Sequence, residues 1–379
     1  MRTRIGRHDY RVAVCDELER RARARLDPRV FDYYAGGAGD ERTLADNRRA
    51  WARLELRPVL GGGADRSPDT SLTLLGRRLE LPVLLAPVAA QRLLDPGGEP
   101  ASARAAARAG TVFCLSTRAT ADVAEVAEAA PDGARWFQLY VERERVRSRR
   151  ALERLAELGY GAVVLTADLP VAGRRERELR GGPLPLPRGV EIVTHGEPPP
   201  RRPAGAPGRA AGGAPAASPA HKPVVGGWDP ALTWRDVEWV AERSRLPVLV
   251  KGLLTGEDAA LAVEHGAAGV VVSNHGGRQL DGALPTAVAL PEVLAAVGGR
   301  VPVLVDGGLR TGADVARALA LGAAATMIGR PYAWALASGG EDEVAALLRQ
   351  LRSELSEAMS VSGAAAVTDL TPEVLAADR

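Results

Sequence analysis

The sequence contains little lysine, little cysteine, few aromatic residues and no long hydrophobic run. Only two of the 49 basic residues, Lys222 and Lys251, are lysines, and the 379 residues include two cysteines and 4% aromatic residues. No apolar stretch approaches the roughly 20 residues that a membrane-spanning helix needs. Because 49 basic residues nearly balance 47 acidic ones, for a net charge of +2, we expect neither a nucleic-acid nor a membrane partner.

The cysteines and the first residues bear on the compartment. Cys15 and Cys114 lie far apart in the sequence, as expected of unpaired thiols in a reducing environment. The basic residues Arg2 and Arg4 are not followed by the apolar stretch of a signal peptide. The proportions of hydrophobic residues (46%) and charged residues (25%) are those of an ordinary globular protein. We therefore expect a soluble, cytoplasmic protein.

The rarity of lysine makes the position of each lysine informative. Lys251 directly follows the apolar segment 246–250, at the expected end of a core strand. Lys222 lies in a segment rich in proline and alanine, where the sequence gives it no role. A lysine retained at the end of a buried strand, in a chain that otherwise uses arginine, indicates a functional site.

Eight short apolar runs predict the fold. Continuous rather than alternating hydrophobicity is typical of parallel strands that are buried on both faces. Amphipathic segments separate most of the runs, and eight strand–helix units favour an α/β fold of the (β/α)₈ TIM-barrel type. A doubly wound sheet is the alternative, but the chain has neither its early glycine-rich fingerprint nor a Walker motif. The runs are 81–86, 111–115, 135–140, 161–166, 246–250, 268–273, 301–305 and 323–328.

Two segments fall outside this barrel pattern. Residues 1–80 are predicted to form helices and a short β-rich cover, and residues 81–379 the barrel itself. Residues 181–227 form a long insertion after the fourth run, and much of it consists of proline, alanine, glycine and arginine. Such a composition cannot build a core, so we expect this insertion to be mobile.

The segment 273–282 carries the strongest chemical signal. His275 and Arg278 follow the sixth run, separated by two glycines. A histidine can accept a proton near neutral pH, and an arginine fork can bind a carboxylate with two parallel hydrogen bonds. Because the glycines let the backbone approach a ligand, the segment suits an enzyme that binds a small acid and removes a proton from it. A solvated polar loop is the alternative.

Polar residues follow the other runs as well, and the carboxyl ends of barrel strands meet on one face. After the fourth run, Asp168 could orient a histidine and Arg175 could bind a second carboxylate oxygen. Gln138 and Tyr140 alternate on the third run and are predicted to face the same way. The last two runs end in loops of glycine and arginine, which are typical of a phosphate site in a barrel.

Taken in order, these segments resemble the FMN-dependent α-hydroxy-acid oxidase and dehydrogenase family. The likeness extends from about Tyr33 to the C-terminal region and is interrupted only by the insertion. The matching segments are Asp-Tyr-Tyr-Ala-x-Gly, Ala-Pro-x-Ala, Gln-Leu-Tyr, Thr-x-Asp-x-Pro-x-x-Gly-Arg-Arg-Glu, Val-Lys-Gly, Ser-Asn-His-Gly-Gly-Arg-Gln-Leu-Asp, Asp-Gly-Gly-x-Arg and Ile-Gly-Arg.

The resemblance implies an enzyme that oxidises a 2-hydroxy acid to the 2-oxo acid with non-covalent FMN, and then passes electrons to oxygen or another acceptor. Members of the family often form tetramers, so a homo-oligomer is expected. By position, His275 is the implied base, Asp168 its partner and Tyr140 the group that binds the reacting hydroxyl. Tyr33, Arg175 and Arg278 are the implied carboxylate-binding residues, and no metal is implied.

The same resemblance implies the flavin contacts. Lys251 would lie beside the flavin ring, where its positive charge stabilises the reduced, anionic form. Other residues would surround the ring, namely Ala89, Ser116, Gln138, Thr166 and Ser273. A last group would hold the ribityl phosphate, namely Asp306, Gly308, Arg310, Gly329 and Arg330.

Two positions depart from the family pattern. Arg118 stands where glycolate oxidase-like members carry a large aromatic residue, and Ala90 is small where members often have Met or Tyr. We therefore expect a substrate bulkier than glycolate, with a polar or anionic distal group near Arg118. The alternative is that Arg118 turns outward.

Three other interpretations remain open on the sequence. A tailoring enzyme similar to pre-mycofactocin synthase would act on a peptide- or carrier-derived intermediate, and the insertion leaves room for one. An FMN-dependent isopentenyl diphosphate isomerase would have no need of the His275 base or of Arg278. A flavin-binding module without catalysis would have no use for His275 with Asp168.

Overall fold

The computed structural model describes residues 14–59, 67–193, 195 and 227–376. Three helices come first: α1 (Val14–Arg25), α2 (Pro28–Ala35) and α3 (Arg42–Arg53). Strands β1 (Leu72–Leu74) and β2 (Arg77–Leu79) then form an antiparallel hairpin. Asp27 begins α2 by accepting a hydrogen bond from the backbone N–H of Arg29, and Pro28 supplies a preset helical φ.

Eight parallel strands close into a barrel, as the eight apolar runs predicted. The order around the barrel is β10-β3-β4-β5-β6-β7-β8-β9, so each strand pairs with its neighbour in sequence and the last pairs with the first. The strands are β3 (Val83–Leu85), β4 (Val112–Ser116), β5 (Ala134–Leu139), β6 (Ala162–Thr166), β7 (Val248–Leu253), β8 (Gly269–Val272), β9 (Val303–Val305) and β10 (Ala325–Ile328).

Side chains that alternate along these strands build two apolar layers. Leu84, Cys114 and Trp136 belong to a cluster inside the barrel, and Leu74 and Leu79 of the hairpin join the same cluster. The hairpin therefore packs against the barrel interior as a cover. The alternate strand residues belong to the larger cluster between strands and helices, and burial of each large aliphatic side chain there contributes roughly 1.5–3 kcal/mol.

Each barrel strand is followed by a helix that packs on the outside. The helix α7 is an extra element, because α8 is the helix that packs against β6 and β7. The long α12 is interrupted at Gly339 and Gly340, whose backbone angles are not helical. The helices are α4 (Gly98–Arg108), α5 (Val123–Ala129), α6 (Arg145–Leu155), α7 (Glu176–Gly181), α8 (Arg235–Ser244), α9 (Gly256–Glu264), α10 (Thr286–Val297), α11 (Gly312–Ala320) and α12 (Arg330–Val361).

The strand register brings polar side chains together at the carboxyl ends. Ser116 on β4 is level with Gln138 on β5, and Thr166 on β6 is level with Lys251 on β7. The sequence had suggested that Lys251 follows the end of a strand. In the structure β7 extends to Leu253, so Lys251 lies within the strand. This register places four polar side chains around one end of the barrel.

The insertion lies only partly within the described residues. Residues 196–226, for which mobility was predicted, are outside them. Where the chain resumes, Trp228 bridges Glu142 in antiparallel fashion, and the N–H of Asp229 donates to the carbonyl of Val141 at 2.8 Å. None of the helices in the described segments is both long enough and apolar enough to cross a membrane.

Candidate active site

His275 lies between a carboxylate and a phenol. Its Nδ1 is 2.9 Å from Oδ1 of Asp168, and its Nε2 is 3.4 Å from the hydroxyl of Tyr140. A carboxylate beside Nδ1 holds the proton on that nitrogen and leaves Nε2 as the acceptor. The predicted base, its partner and the predicted hydroxyl-binding tyrosine are therefore adjacent.

The backbone of His275 adopts a conformation that residues other than glycine rarely take. Its φ is +57°, and the next two residues, Gly276 and Gly277, also have positive φ. The N–H of His275 donates to Oγ of Ser273 at 3.1 Å, which helps to fix the turn. A Cβ on Gly277 would lie within 2.6 Å of the backbone nitrogen of Leu44. Such conformations are held only where surrounding structure fixes them, and they concentrate at functional sites.

Asp168 is ionised in this environment. Burial favours its neutral form, but the charge and hydrogen bond of His275, together with Lys251, lower the pKa of Asp168 below its ordinary value. Its Oδ2 is buried without a hydrogen-bond partner. Burial also raises the pKa of Tyr140 well above its ordinary value, so the tyrosine keeps its proton and can act as a donor.

Arg175 and Arg278, which were predicted to bind the substrate carboxylate, both contact the carboxylate of Glu178. Nε of Arg175 lies 2.8 Å from Oε1 of Glu178, and Nη2 of Arg278 donates to the same oxygen at 3.0 Å. Nη1 of Arg278 donates to the backbone carbonyls of Tyr33 and Gly36. The two guanidinium groups are thereby brought together beside the cavity, on the side where α2 and α7 pack against each other.

Two tyrosines of α2 complete this side of the cavity. The Arg278 guanidinium carbon lies 5.2 Å from the ring centre of Tyr33, a cation–π contact that keeps both groups in place. The hydroxyl of Tyr34 donates to the carbonyls of Ala89 and Ala90 at 2.9 and 2.8 Å. The N-terminal helices thus contribute directly to a site whose other residues come from the barrel.

Lys251 is a buried cation held by two neighbours. Its Nζ lies 3.0 Å from Oδ2 of Asp306 and donates to Oγ of Ser273 at 2.6 Å. Burial would lower the pKa of Lys251, but Asp306 and Asp168 raise it above its ordinary value. The lysine therefore remains charged, and Oδ1 of Asp306 is left without a partner.

Three polar side chains on neighbouring strands form a hydrogen-bonded row. Ser116 and Gln138 are joined at 3.2 Å, and Nε2 of Gln138 donates to Oγ1 of Thr166 at 3.0 Å. All three are buried. Fixed donors and acceptors at this depth can recognise the polar edge of a planar ligand.

The loops after β9 and β10 form a cationic cradle. Arg310 and Arg330 both line the cavity, and neither forms an ion pair with a carboxylate in the part of the chain that the structure describes. Burial, together with Arg278 and Arg310, lowers the pKa of Arg330 to about 9. Gly329 stands at the amino end of α12, where free N–H groups favour an anion. An anionic group such as the phosphate of FMN fits this arrangement.

The contacts of Arg330 differ from a simple phosphate grip. Its Nε donates to the carbonyl of Tyr34, its Nη1 to that of Gly276 and its Nη2 to that of Gly36, each at 2.9 Å. The side chain therefore ties α2 to the loop that carries His275. The guanidinium nitrogens of Arg330 already donate to carbonyls. An anion in the cradle would therefore interact with the positive charge of Arg330 and with the backbone N–H groups nearby.

Most of the residues predicted from the sequence line a single cavity of about 1200 Å³ that opens to solvent. Three do not line it, namely Gln138, Asp168 and Ser273, but each contacts a residue that does. Among the described residues, no group of three or more His, Cys, Asp or Glu side chains could hold a metal ion. The predicted roles of these residues remain predictions.

Sequence reasoning missed two residues of the site. Trp228 lines the cavity, and its ring centre lies 4.8 Å from that of Tyr140, with the two ring planes tilted by 30°. Glu178, which joins Arg175 and Arg278, was also overlooked. Its position three residues after Arg175 on a short helix was a usable signal, whereas Trp228 follows the insertion and no local pattern indicated where the chain returns.

The chain is similar along most of its length to proteins of one enzyme family. Residues 22–377 match the family described as FMN-dependent dehydrogenase. The chain is 43% identical to L-lactate oxidase of Nostoc sp., over 95% of this chain and 96% of that protein. It is 41% identical to glycolate oxidase of Spinacia oleracea, over 97% and 96%. A solved structure of a mandelate oxidase variant with (S)-mandelic acid has a TM-score of 0.83, at 39% identity over 97% and 98% of the two chains.

The family match covers nearly the whole chain, and the relatives span it from one end to the other at more than 30% identity. The protein therefore belongs to the FMN-dependent dehydrogenase family.

Proposed function

We propose that the protein oxidises a 2-hydroxy acid to the corresponding 2-oxo acid with bound FMN. The observation that carries the proposal is the position of His275, with Asp168 on one nitrogen and Tyr140 near the other, in the cavity that Arg175 and Arg278 also line. A base beside two cations suits the removal of a proton from a substrate that is anchored by its carboxylate.

The arginines bind and orient the substrate in this proposal. Arg175 and Arg278 present two guanidinium groups to one carboxylate, and Glu178 shows that a carboxylate oxygen can contact both groups at once. Tyr140, which keeps its proton, donates to the substrate hydroxyl oxygen. Holding the acid at both groups fixes the carbon between them beside Nε2 of His275.

His275 then accepts the proton that leaves the substrate. Asp168 keeps the imidazole in the tautomer with a free Nε2, and its negative charge stabilises the imidazolium that forms. Since Asp168 has a lowered pKa, it remains negative while the histidine changes its charge. The carboxylate thus acts through the histidine without taking up the proton itself.

The residues present fit FMN. Ser116, Gln138, Thr166 and Lys251 would hold the ring, and the loops that contain Gly308, Arg310, Gly329 and Arg330 would hold the phosphate. When bound, FMN supplies the two-electron acceptor for the bond broken at the α-carbon. The positive charge of Lys251, which Asp306 secures inside the barrel, favours the accumulation of negative charge beside it.

The relatives favour this interpretation over a tailoring enzyme for a peptide- or carrier-derived intermediate. L-lactate oxidase and glycolate oxidase match the chain from end to end, and their names specify small hydroxy acids. If the protein contains FMN but oxidises no free hydroxy acid, that result would favour the tailoring interpretation.

We also propose a cytoplasmic homo-oligomer, with a tetramer as the expected form. Leu280, Leu284 and Val288 lie close together in sequence at the start of α10, and all three are exposed. Apolar side chains in this arrangement suit an interface with a second copy. Cys15 and Cys114 are free thiols, as suits a reducing compartment. Light scattering of the purified protein tests the tetramer, and fractionation of cells tests the compartment.

The test of the activity is anaerobic bleaching of the yellow protein. Holoenzyme is mixed with 2-hydroxy acids that range from glycolate and lactate to mandelate and dicarboxylates, and the visible flavin absorbance is followed. We expect one class of acid to bleach the wild-type protein. His275→Gln should stay yellow in the same solution. Readmission of oxygen then separates an oxidase from a dehydrogenase, and a protein that binds no FMN would overturn the proposal.

A further inference from the structure

We infer that the substrate carries a second anionic group, most simply a carboxylate, and that Arg118 binds it. This inference rests on the proposed function, because it concerns the far end of the same 2-hydroxy acid. It starts from an arginine that lines the cavity with His275, Arg175 and Arg278 but that the proposed chemistry does not use.

The position of Arg118 is fixed by its backbone. Its N–H donates to Oγ of Ser116 at 3.1 Å, and its carbonyl accepts a hydrogen bond from the N–H of Ala90 at 2.9 Å. Ser116 is the last residue of β4, and Ala90 lies in the loop after the adjacent strand β3. The guanidinium therefore projects from an anchored loop at the mouth of the barrel, which is a suitable place for a residue that selects a substrate.

The guanidinium of Arg118 has no polar partner in the segments that the structure describes. It forms no hydrogen bond or ion pair there, and its Nε is buried. The guanidinium carbon lies over the ring of Trp228, at 5.7 Å from the ring centre. By contrast, Arg175 and Arg278 contact Glu178, and Arg330 donates to three carbonyls. Arg118 is partly buried, its Nε is buried without an acceptor, and the residue lines the cavity, so an anionic group of the substrate would supply the acceptor that Arg118 lacks.

Trp228 adds a second unused donor at the same wall. Its Nε1 is also buried without a hydrogen-bond partner. Its ring packs at a tilt against that of Tyr140, whose hydroxyl is 3.4 Å from Nε2 of His275. The wall formed by Arg118 and Trp228 is therefore one side chain away from the reacting centre.

A second cavity leaves room behind this wall. Arg118, Tyr140 and Trp228 line both the main cavity and a smaller neighbouring one. Burial lowers the pKa of Arg118, and Glu142, which also lines the second cavity, partly opposes this effect by its negative charge. Glu142 lies 3.8 Å from Arg147 and makes no ion pair with Arg118. A substrate longer than glycolate can therefore reach Arg118 without displacing another carboxylate from it.

The chemistry of the donors selects the ligand. A guanidinium fork matches the two oxygens of a carboxylate. A neutral aromatic side chain would offer the Arg118 guanidinium no acceptor and is disfavoured. The predicted substrates are thus 2-hydroxy dicarboxylates rather than mandelate-like acids.

The experiment compares acids of equal shape and different charge. Malate is paired with 2-hydroxy-4-methylpentanoate, and 2-hydroxyglutarate with 2-hydroxy-5-methylhexanoate, so that an isopropyl group replaces the distal carboxylate. Racemic acids are used with the wild-type holoenzyme, and mandelate is included. We expect kcat/KM to favour the diacid by roughly tenfold or more. Preference for mandelate or for the neutral partner overturns the inference.

Variants assign the preference to Arg118. Arg118→Met should reduce the ratio of kcat/KM values for the diacid and the neutral acid by roughly tenfold or more, and Arg118→Lys should restore part of it. Arg174→Met removes the same charge from an exposed residue next to the site and should leave the ratio unchanged. A ratio that is the same in wild type and Arg118→Met overturns the inference while the proposed function stands.

A binding measurement separates the two hypotheses. Calorimetric titration of the holoenzyme with 2-oxoglutarate and with 5-methyl-2-oxohexanoate requires no turnover. If no hydroxy acid bleaches the flavin, the proposed function fails, and these affinities decide the inference alone. Tighter binding of 2-oxoglutarate that is lost in Arg118→Met supports it, and equal affinities overturn it.

Discussion

Nδ1 of His275 lies 2.9 Å from Oδ1 of Asp168, although 107 residues separate the two along the chain. Asp168 follows β6 and His275 follows β8, so the contact exists only because a closed barrel gathers the carboxyl ends of its strands on one face. The pair combines a buried carboxylate with a partly exposed imidazole. Substitution of either residue should therefore slow the reaction.

Replacement of His275 by Gln should lower the rate of flavin reduction by about 10²- to 10⁴-fold, because the substrate loses its proton acceptor. Asp168→Asn should also slow reduction, since an amide can leave the imidazole in the wrong tautomer. Stopped-flow measurement of bleaching at saturating substrate gives these rates. Both variants should still bind FMN, and a His275→Gln protein that is reduced at the wild-type rate would exclude His275 as the base.

Replacement of Arg175 by Lys should raise KM by about 10- to 150-fold, because a lysine cannot reproduce the two-pronged contact of a guanidinium with a carboxylate. Arg174→Lys is the matched control, since Arg174 is exposed beside it, and its KM should stay at the wild-type value. Steady-state kinetics with the best substrate from the bleaching panel provide the measurement. Equal KM values in the two variants would remove Arg175 from carboxylate binding.

Lys251→Met should lower the free energy of unfolding by about 3–5 kcal/mol, because Asp306 would be left as an unpaired buried charge. The double variant Lys251→Met/Asp306→Asn should recover most of the loss. Urea unfolding at pH 7, with FMN in excess, measures both. Because the pKa of Lys251 is raised, its contribution is complete below the ordinary lysine pKa. It disappears only as the pH rises through the folded value, so the effect should be constant from pH 6 to about 9.

Neither thiol should react with Ellman's reagent in the folded protein at pH 8. Burial raises the pKa of Cys15 to about 12, and it raises the pKa of Cys114 as well. A raised pKa means that less of the reactive thiolate is present at any given pH. In denaturant, both cysteines should be labelled. Rapid labelling of either thiol without denaturant would show that its surroundings open in solution.

Continuous hydrophobicity was enough to predict the barrel. The run 161–166 predicted β6 (Ala162–Thr166), and the run 135–140 predicted β5 (Ala134–Leu139). Every residue of both strands is buried, and the apolar residues outnumber the polar ones, which are Arg135 and Gln138 in β5 and Thr166 at the end of β6. The prediction was too short at β7, because a lysine was taken as the end of a strand. Lys251 continues the strand because Asp306 compensates its charge inside the barrel.

The sequence could not reveal which charged groups meet across the site. Glu178 contacts both Arg175 and Arg278, but the second contact spans 100 residues and depends on where α7 packs. Trp228 reaches Tyr140 only because the chain after the insertion pairs with residue Glu142. Local periodicity reports which face of an element is buried, whereas these contacts depend on the return path of loops.

The hydrogen bond between Arg330 and the carbonyl of Tyr34 joins residues that are 296 positions apart. A ribosome makes Tyr34 long before it makes Arg330, and the barrel cannot close until β10 (Ala325–Ile328) has emerged. The contact between α2 and Arg330 therefore cannot form during most of translation. Contacts between residues so far apart in sequence form slowly during folding. We therefore expect the pocket to form late, and the protein to bind FMN only after α2 has made contact with Arg330.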